Sequence, residues 1–208
     1  MRYLVISDIH GESRALEQAL SLEKTLGTDR ILLLGDLLYH GPRNDLPSPY
    51  APKEVAASLN ERKERILAVR GNCDAEVDQM VLEFPIMKVF DTLRLEDGRK
   101  IILTHGHHNE YQMGLCGGCA VLSGHTHIAT AECDEEGVYR CNPGSISMPK
   151  GTLPASMGLL DEEGFSVLDL MGKESPEIPV INNFHNTASK KGSKNQSKNP
   201  PDRSGTVT

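Results

Sequence analysis

Three short apolar runs near the start of the chain are each followed, within three positions, by a polar residue that can bind a metal. These polar residues are Asp8, Asp36 and Asn72, and the runs before them cover residues 2–6, 30–34 and 66–69. Between the runs, apolar residues recur at helical spacing, with Gly27 and Pro52 predicted to end one helix and begin the next. This alternation of strand, loop and helix predicts an α/β protein whose site lies at the carboxyl ends of the strands.

The rest of the chain is rich in predicted strands. Its apolar runs are short and bounded by turn residues, at positions 89–95, 99–103, 120–123, 156–160 and 165–170. A hairpin is predicted around residues 134–137. Helices in the first half and strands in the second favour two packed sheets flanked by helices.

Residues 1–181 are predicted to form one domain, followed by a disordered tail at 182–208. The tail is rich in Ser, Asn and Lys and carries a net charge of +4, so the chain's −7 leaves −11 for residues 1–181. An acidic domain is a poor match for nucleic acid, which proteins hold through Lys and Arg. We interpret the tail as a solubilising extension, with a contact to nucleic acid or an acidic partner as the alternative.

The sequence carries no signal for a membrane or for export. No apolar stretch approaches the roughly 20 residues of a membrane span, and the N-terminus is unlike a signal peptide. Five cysteines without an export signal favour reduced thiols. We therefore expect a cytoplasmic location and no membrane partner.

Seven residues with oxygen or nitrogen ligand atoms stand at or just after predicted strand ends. They are Asp8, His10, Asp36, Asn72, His105, His125 and His127. In extended backbone, residues i and i+2 face the same way, so the D-x-H and H-x-H pairs are each expected to converge. A turn explains any one of these residues alone, but the combined pattern on five strand ends predicts a metal site. Imidazole, carboxylate and amide ligands suit Mn, Fe, Co, Ni or Zn.

The order D-x-H, G-D, G-N-x-D, H-G-H and G-H-T-H resembles that of the calcineurin-like metallophosphoesterases. The strings GDLLYHGPRN and VRGNCD are similar to those of the small bacterial phosphodiesterases of the YfcE type, and NPGS at 142–145 extends the likeness to most of the predicted domain. The resemblance implies the metallophosphoesterase fold, a four-layer αββα sandwich of two mixed β-sheets flanked by helices.

The resemblance also implies roles for the seven residues. The ligands of a first divalent metal are implied to be Asp8, His10 and His127. Those of a second are Asn72, His105 and His125, with Asp36 bridging the pair. Mn is the expected metal, with Zn, Fe, Co and Ni as alternatives. Two such ions about 3.5–4 Å apart share a hydroxide poised for in-line attack, which implies hydrolysis of small phosphodiesters with Asp36, Asn72 and His105 as catalytic residues.

Two other functions remain open. Some members of this fold, including the small subunit of the retromer coat, are protein-binding scaffolds, but scaffolds lose ligands and all seven are present here. A phosphomonoesterase is the second alternative. The short chain has no cap domain, which favours an open site that accepts small diesters. Relatives often pair, so a homo-oligomer is a further expectation.

Cys73 marks a departure from the family pattern. Most members have histidine between the asparagine and the acidic residue, and there the imidazole can protonate the departing oxygen. A neutral thiol is a poor substitute, and loss of a general acid costs about 10²–10⁴ in rate. We therefore predict a preference for acidic leaving groups and slow turnover of alkyl ones, unless His107 or another group substitutes. A small packing residue is the alternative for Cys73. Asp74 is expected to orient a histidine near the metals.

Three more residues are candidates for substrate contact. Arg43 and His40 lie in the loop after Asp36, where a solvated loop residue is the alternative, and His107 shares a strand face with His105. The C-x-x-C sequence at Cys116 and Cys119 can bind zinc or act in redox chemistry. Its surroundings favour reduced structural cysteines instead.

Overall fold

The protein folds into two mixed β-sheets, as seen in a computed structural model that describes residues 1–96, 98–108, 114–115 and 117–182. The strands β1 to β11 are Tyr3–Ile6, Arg30–Leu33, Ile66–Ala68, Phe90–Arg94, Lys100–Thr104, Ala120–Leu122, Thr130–Cys133, Tyr139–Asn142, Ser156–Leu160, Gly164–Asp169 and Ile181–Asn182. The helices α1 to α4 are Ser13–Ser21, Glu23–Leu26, Pro52–Asn60 and Glu76–Gln79, with a 3₁₀ turn at Lys63–Arg65.

Each sheet combines a parallel centre with antiparallel strands. The six-stranded sheet has the order β11-β10-β9-β1-β2-β3, in which β1, β2 and β3 are parallel and β9, β10 and β11 join antiparallel. The five-stranded sheet has the order β4-β5-β6-β8-β7. Here β5, β6 and β8 are parallel, and β4 and β7 are antiparallel edges. The predicted fold of two mixed sheets is confirmed.

Alternate residues of β1 face two different cores. Leu4 packs towards the helices with Leu16 of α1 and Leu59 of α3. Its neighbour Val5 packs between the two sheets with Leu103 of β5. Successive side chains of a strand point to opposite faces, so a strand buried on both faces needs a continuous apolar run. The apolar runs of the first third therefore place these strands in the middle layer of the protein.

The outer face of the five-stranded sheet carries a smaller cluster. Ile102, Val121 and Val138 form it, and Leu115 packs against them. In the part of the chain that the structure describes, α1 and α3 instead cover the six-stranded sheet. Both sheets thus bury their facing surfaces against each other and their outer surfaces under other segments.

The helix limits follow local signals. Pro52 stands in the first turn of α3, and Gly27 ends α2 with φ of 65°, as predicted. Glu12 caps α1, since its side chain accepts a hydrogen bond from the N–H of Ala15. At the other end of the chain, β11 includes Asn182, one residue beyond the predicted domain limit.

The remainder of the predicted tail, residues 183–208, lies outside the described residues. Of the helices that the structure describes, none has the length and apolar character needed to cross a bilayer.

Candidate metal centre

The predicted ligands come together at one end of both sheets. Backbone hydrogen bonds align the loops after neighbouring strands: the N–H of Asp8 donates to the carbonyl of Gly35 at 3.1 Å, and that of Gly124 to the carbonyl of His105 at 3.1 Å. The first bond joins the loops after β1 and β2, and the second joins those after β5 and β6. Parallel pairing therefore brings sequence-distant loops side by side.

Five of the seven residues have a left-handed backbone. Their φ angles are 56° at Asp8, 49° at His10, 57° at Asp36, 68° at His125 and 60° at His127. Among the described residues, every other positive φ belongs to a glycine. Such a conformation costs of order 1 kcal/mol or more in a non-glycine residue. It persists where the surrounding structure enforces it, which is typical of functional sites.

The D-x-H and H-x-H pairs were each predicted to converge because their backbone was expected to be extended. That backbone prediction is wrong. Asp8 and His10 do converge, but they leave β1 through left-handed turns rather than as a strand face. His125 and His127 do not converge on one point. Their rings contact different residues, Asn72 for His125 and Asp8 for His127.

Asp8, His10 and His127 form a first group of ligand atoms. His127 Nε2 lies 3.2 Å from Asp8 Oδ1, and His10 Nε2 lies 3.7 Å from the same oxygen. The two Nε2 atoms are 3.3 Å apart. All three side chains are buried. One carboxylate oxygen and two imidazole nitrogens thus face a common point.

Asn72, His105 and His125 form a second group. Asn72 Oδ1 lies 3.0 Å from His105 Nε2 and 2.7 Å from His125 Nδ1. The amide nitrogen of Asn72 points away and donates to Cys73 Sγ at 3.2 Å. The amide oxygen is therefore the atom turned towards the two imidazoles.

Asp36 lies between the two groups. Its Oδ2 is 3.4 Å from His105 Nε2 and 3.7 Å from His10 Nε2. Its Oδ1 accepts a hydrogen bond from the N–H of Cys73 at 2.7 Å. A carboxylate that reaches both groups has the position that a bridging ligand requires.

Backbone carbonyls orient three of the imidazoles through their Nδ1 atoms. The pairs are His10 with Tyr39 at 2.8 Å, His105 with Leu34 at 2.7 Å and His127 with Met148 at 2.6 Å. A carbonyl only accepts hydrogen bonds, so each Nδ1 carries the proton. In the neutral ring this leaves Nε2 as a lone-pair donor facing the centre, the usual arrangement of a metal-binding histidine.

Asp8 provides a direct test of whether a cation fits. Its Oδ2 accepts hydrogen bonds from Ser7 Oγ at 2.7 Å and from the N–H of His125 at 3.1 Å. Its Oδ1 is buried and receives no hydrogen bond of normal geometry from any described residue. A buried charged oxygen that lacks a well-formed hydrogen bond is costly. This oxygen faces the Nε2 atoms of the first group, so the donor set fits a divalent cation there.

The charges of the cluster outweigh the effect of burial. Burial raises the pKa of Asp8 and of Asp36, but the neighbouring imidazoles lower both pKa values by more. Burial lowers the pKa of His105, but the contact with Asp36 raises that pKa to about 9. The pKa of His10 is raised in the same way, against burial, by Asp8. In the metal-free protein, protons on the imidazoles thus supply positive charge to the carboxylates.

The carboxylate of Asp74 links the loop after β2 to the loop after β3. Its carboxylate accepts hydrogen bonds from the N–H groups of Asp36 at 2.8 Å, Leu37 at 2.8 Å and Gly71 at 2.7 Å. No histidine in the described part of the chain bonds to it, so the expectation that it orients one is wrong. Gly71 permits this close approach, because a Cβ at that position would overlap the Asp36 carboxylate.

Residues of the segment 142–150 donate hydrogen bonds to the backbone of the first group. The hydroxyls of Ser145 and Ser147 both donate to the carbonyl of Asp8 at 2.8 Å. The N–H of Lys150 donates to the carbonyl of His127 at 3.0 Å. None of these three residues was predicted to belong to the site, although the NPGS string at 142–145 marked the segment.

An open cavity of about 940 Å³ lies over the cluster, and both Cys73 and Arg43 line it. Burial, followed by the charge of Asp36, raises the pKa of the Cys73 thiol to about 12. Cys73 is therefore a neutral thiol beside the candidate metal ligands. Substrate contact by Arg43 stays a prediction, and its place in the lining supports it.

His40 is turned away from this cavity. Its ring packs edge-on against Tyr39, with centroids 4.6 Å apart, and against Tyr50 at 5.4 Å. Substrate contact by His40 stays a prediction, and the position of its ring outside the cavity lining does not support it.

His107 lies beside the second group, with its ring centroid 5.3 Å from that of His105. Burial and the charge of His105 lower the pKa of His107 to about 4. The ring is therefore neutral near pH 7, and its contact with substrate stays a prediction.

Three of the four cysteines of the second half belong to the described residues. Cys116 lies outside the described residues, Cys119 and Cys141 are buried, and Cys133 is exposed. Within the described ranges, no cluster of potential metal ligands includes Cys119, Cys133 or Cys141. A zinc site at the C-x-x-C sequence therefore gains no support from the cysteines that the structure describes.

The fold and the site define a calcineurin-like phosphoesterase. Residues 1–164 match the calcineurin-like phosphoesterase superfamily domain, and the chain belongs to this superfamily, as the resemblance predicted. A curated relative, phosphodiesterase YfcE of Escherichia coli strain K12, is 46% identical over 172 residues, which cover 82% of this chain and 92% of the relative.

Solved structures agree with this assignment. The structure of YfcE, a phosphoesterase from E. coli, superimposes with a TM-score of 0.81 at 42% identity, covering 88% of this chain and 99% of the other. An archaeal phosphodiesterase superimposes with a TM-score of 0.60 at 23% identity, covering 81% of this chain and 99% of the other. At that lower identity the likeness shows the fold alone.

Proposed function

We propose that this protein is a phosphodiesterase that hydrolyses small phosphodiesters with the help of two divalent metal ions. The observation that carries the proposal is the convergence of carboxylate, imidazole and amide ligand atoms beneath one open cavity. Membership of the superfamily and the 46% identity to a named phosphodiesterase support it.

Each residue of the centre has a role in this proposal. Asp8, His10 and His127 hold the first ion, Asn72, His105 and His125 hold the second, and Asp36 bridges them. The distances support this division, because Asp36 Oδ2 lies 3.7 Å from His10 Nε2 and 3.4 Å from His105 Nε2.

When bound, two such ions supply Lewis acidity and lower the pKa of a bound water towards 7. The chain's own residues fix the geometry. The carbonyls of Tyr39, Leu34 and Met148 keep the Nε2 atoms turned inward. Asp74 holds the loop of Asp36. The thiol of Cys73 has a pKa raised to about 12, so Cys73 is a poor general acid for the departing oxygen.

The test begins with metal removal by a chelator and re-addition of Mn²⁺. We expect about two metal ions per chain by elemental analysis, and faster hydrolysis of bis(4-nitrophenyl) phosphate than of 4-nitrophenyl phosphate. A faster reaction with the monoester would identify a phosphomonoesterase. Two bound ions without turnover of either ester would identify a binding scaffold.

Asp36→Asn tests the bridge. Loss of the bridging charge should abolish turnover and reduce the bound metal, because two adjacent cations need an anionic ligand between them. Asp91→Asn is the matched control, since Asp91 pairs with Lys88 at 2.7 Å on the surface. Full turnover of Asp36→Asn with both metals retained would exclude the bridging role.

We further propose Mn²⁺ as the resident ion, a cytoplasmic location and pairing of two copies. Mixed oxygen and nitrogen ligands support Mn²⁺, and the free thiols of Cys73, Cys133 and Cys141 suit a reducing compartment. Elemental analysis of protein purified without chelators tests the resident ion. Fractionation of the source cells tests the location, and light scattering tests whether two copies pair.

A further inference from the structure

Two cationic side chains, those of Arg43 and Lys150, line the cavity. Arg43 and Lys150 belong to the lining, and neither forms an ion pair or a side-chain hydrogen bond with the described part of the chain. In the lining as the described residues form it, the sole carboxylate is that of Asp36, which the proposed function assigns to the metals. The two cations are therefore available to an anion that enters the cavity.

The backbone holds both cations close to the centre. The N–H of Lys150 donates to the carbonyl of His127 at 3.0 Å, which ties its position to a candidate ligand. Arg43 stands in a closed turn, because the side-chain amide of Asn44 donates to the carbonyl of His40 at 2.8 Å. A Cβ at Gly41, in the same turn, would lie 3.2 Å from Cys73 Sγ. The turn thus packs directly over the centre.

The charge balance indicates a substrate with more than one negative charge. A simple phosphodiester carries one, and in the proposed function the metal ions bind it. Residues 1–181 carry a net charge of −11, so two cations that find no ion-pair partner among the described residues are unexpected in this cavity. Cations so placed attract and orient anionic groups.

We infer that this site acts on phosphodiesters that carry a second anionic group, a phosphate or a carboxylate, and that Arg43 and Lys150 bind that group. The inference rests on the proposed function, since it takes the metal centre as the place of the scissile diester. The planar guanidinium of Arg43 suits a two-oxygen anion, and the ammonium of Lys150 adds a compact charge.

Three substrates that share one leaving group test the inference. They are the 4-nitrophenyl esters of butyl phosphate, 3-carboxypropyl phosphate and 3-(phosphonooxy)propyl phosphate, which differ in the charge at the end of a short chain. With the Mn²⁺-loaded enzyme, we expect kcat/KM to be about fivefold higher for the carboxylate than for the butyl ester, and higher again for the phosphate. Added salt should reduce both ratios, because these cations are exposed to solvent.

Substitutions of Arg43 and Lys150 then test whether these two residues cause the preference for anionic substrates. Arg43→Met and Lys150→Met should each lower the ratio of kcat/KM for the carboxylate ester to that for the butyl ester by about twofold, and the double variant should remove the preference. Lys53→Met is the matched control, because Lys53 is an exposed residue of α3 outside the cavity lining. It should keep the wild-type ratio.

The outcomes separate this inference from the proposed function. The inference is overturned if kcat/KM is equal for all three substrates, or if the preference survives in the double variant. In either case, turnover of the butyl ester still supports the proposed phosphodiesterase activity. No turnover of the butyl ester or of bis(4-nitrophenyl) phosphate, with two Mn²⁺ bound, overturns the proposed function and the inference with it.

Discussion

The carboxylate of Asp74 accepts a hydrogen bond from the backbone N–H of Asp36 at 2.8 Å. The same carboxylate also binds the N–H groups of Leu37 and Gly71. One side chain after β3 therefore fixes the loop after β2. Because Asp36 reaches both groups of candidate ligands, the position of the centre depends on Asp74, whose carboxylate binds backbone N–H groups.

Asp74→Asn should weaken both the fold and the metal site. The substitution replaces one acceptor oxygen by an NH₂ group that faces backbone donors. We expect the free energy of unfolding to fall by about 1–3 kcal/mol and the affinity for Mn²⁺ to fall about 10–100-fold. Urea unfolding and metal titration measure the two effects. The surface variant Asp91→Asn should change neither, and unchanged Mn²⁺ affinity in Asp74→Asn would contradict the positioning role.

The metal-free protein should lose stability as the pH rises from 7 to 9. Against burial, the contact with Asp36 raises the pKa of His105 to about 9, compared with about 6.5 in the unfolded chain. The folded state thus holds a proton that the unfolded state releases. The stabilisation is complete below pH 6.5 and disappears as the pH rises through about 9.

Urea unfolding of the chelator-treated protein at pH 7 and pH 9 measures this loss. His105→Gln should show a smaller decrease over the same range. The thiol of Cys73, with its pKa raised by burial and by Asp36 to about 12, acts in the same direction. It is present in both proteins and cancels in the comparison. An equal decrease in the two proteins would rule out His105 as the source.

Gly71→Ala should displace Asp36 and cost the protein its bound metal. A methyl group there overlaps the Asp36 carboxylate and its backbone N–H, so one of the two loops must move. We expect metal content to fall well below that of the wild type in elemental analysis. Gly151→Ala is a useful control, because Gly151 has φ of 82° and no atom near its missing Cβ. It should lose about 1 kcal/mol of stability and keep its metal.

Cys73→His should accelerate poor leaving groups more than good ones. The wild-type thiol is neutral and supplies no proton of suitable pKa, whereas an imidazole can act as a general acid. We expect the ratio of kcat/KM for an alkyl diester to that for a 4-nitrophenyl diester to rise by about 10-fold or more. Cys73→Ala, which removes the thiol without adding an acid, should leave the ratio near that of the wild type. An unchanged ratio in Cys73→His would disprove the missing-acid explanation.

The sequence identifies the candidate ligands because their chemistry and their position after a strand are both local. Asp36, Asn72 and His105 each follow an apolar run, and such runs form the buried strands that the structure contains. The path of the chain beyond each strand is not local. His125 and His127 reach opposite groups because left-handed turns rotate them apart, and periodicity alone predicts that they face the same way.

The supporting contacts are invisible to sequence reasoning for a different reason. Asp74 binds backbone N–H groups, and His10, His105 and His127 bind backbone carbonyls. Every residue has a carbonyl and all but proline have an N–H, so no residue type marks these partners. Lys150 is likewise placed by a backbone bond to His127, which no motif predicts.

The candidate ligands divide between the two sheets. Asp8, His10, Asp36 and Asn72 follow strands of the six-stranded sheet, and His105, His125 and His127 follow strands of the five-stranded sheet. Side chains packed between the sheets, such as Val5 and Leu103, therefore set the distance between the two sets. Close-packed interiors transmit a change in volume to their surroundings. A substitution in the hydrophobic interior, remote from every candidate ligand, is therefore expected to change the distance between the two sets.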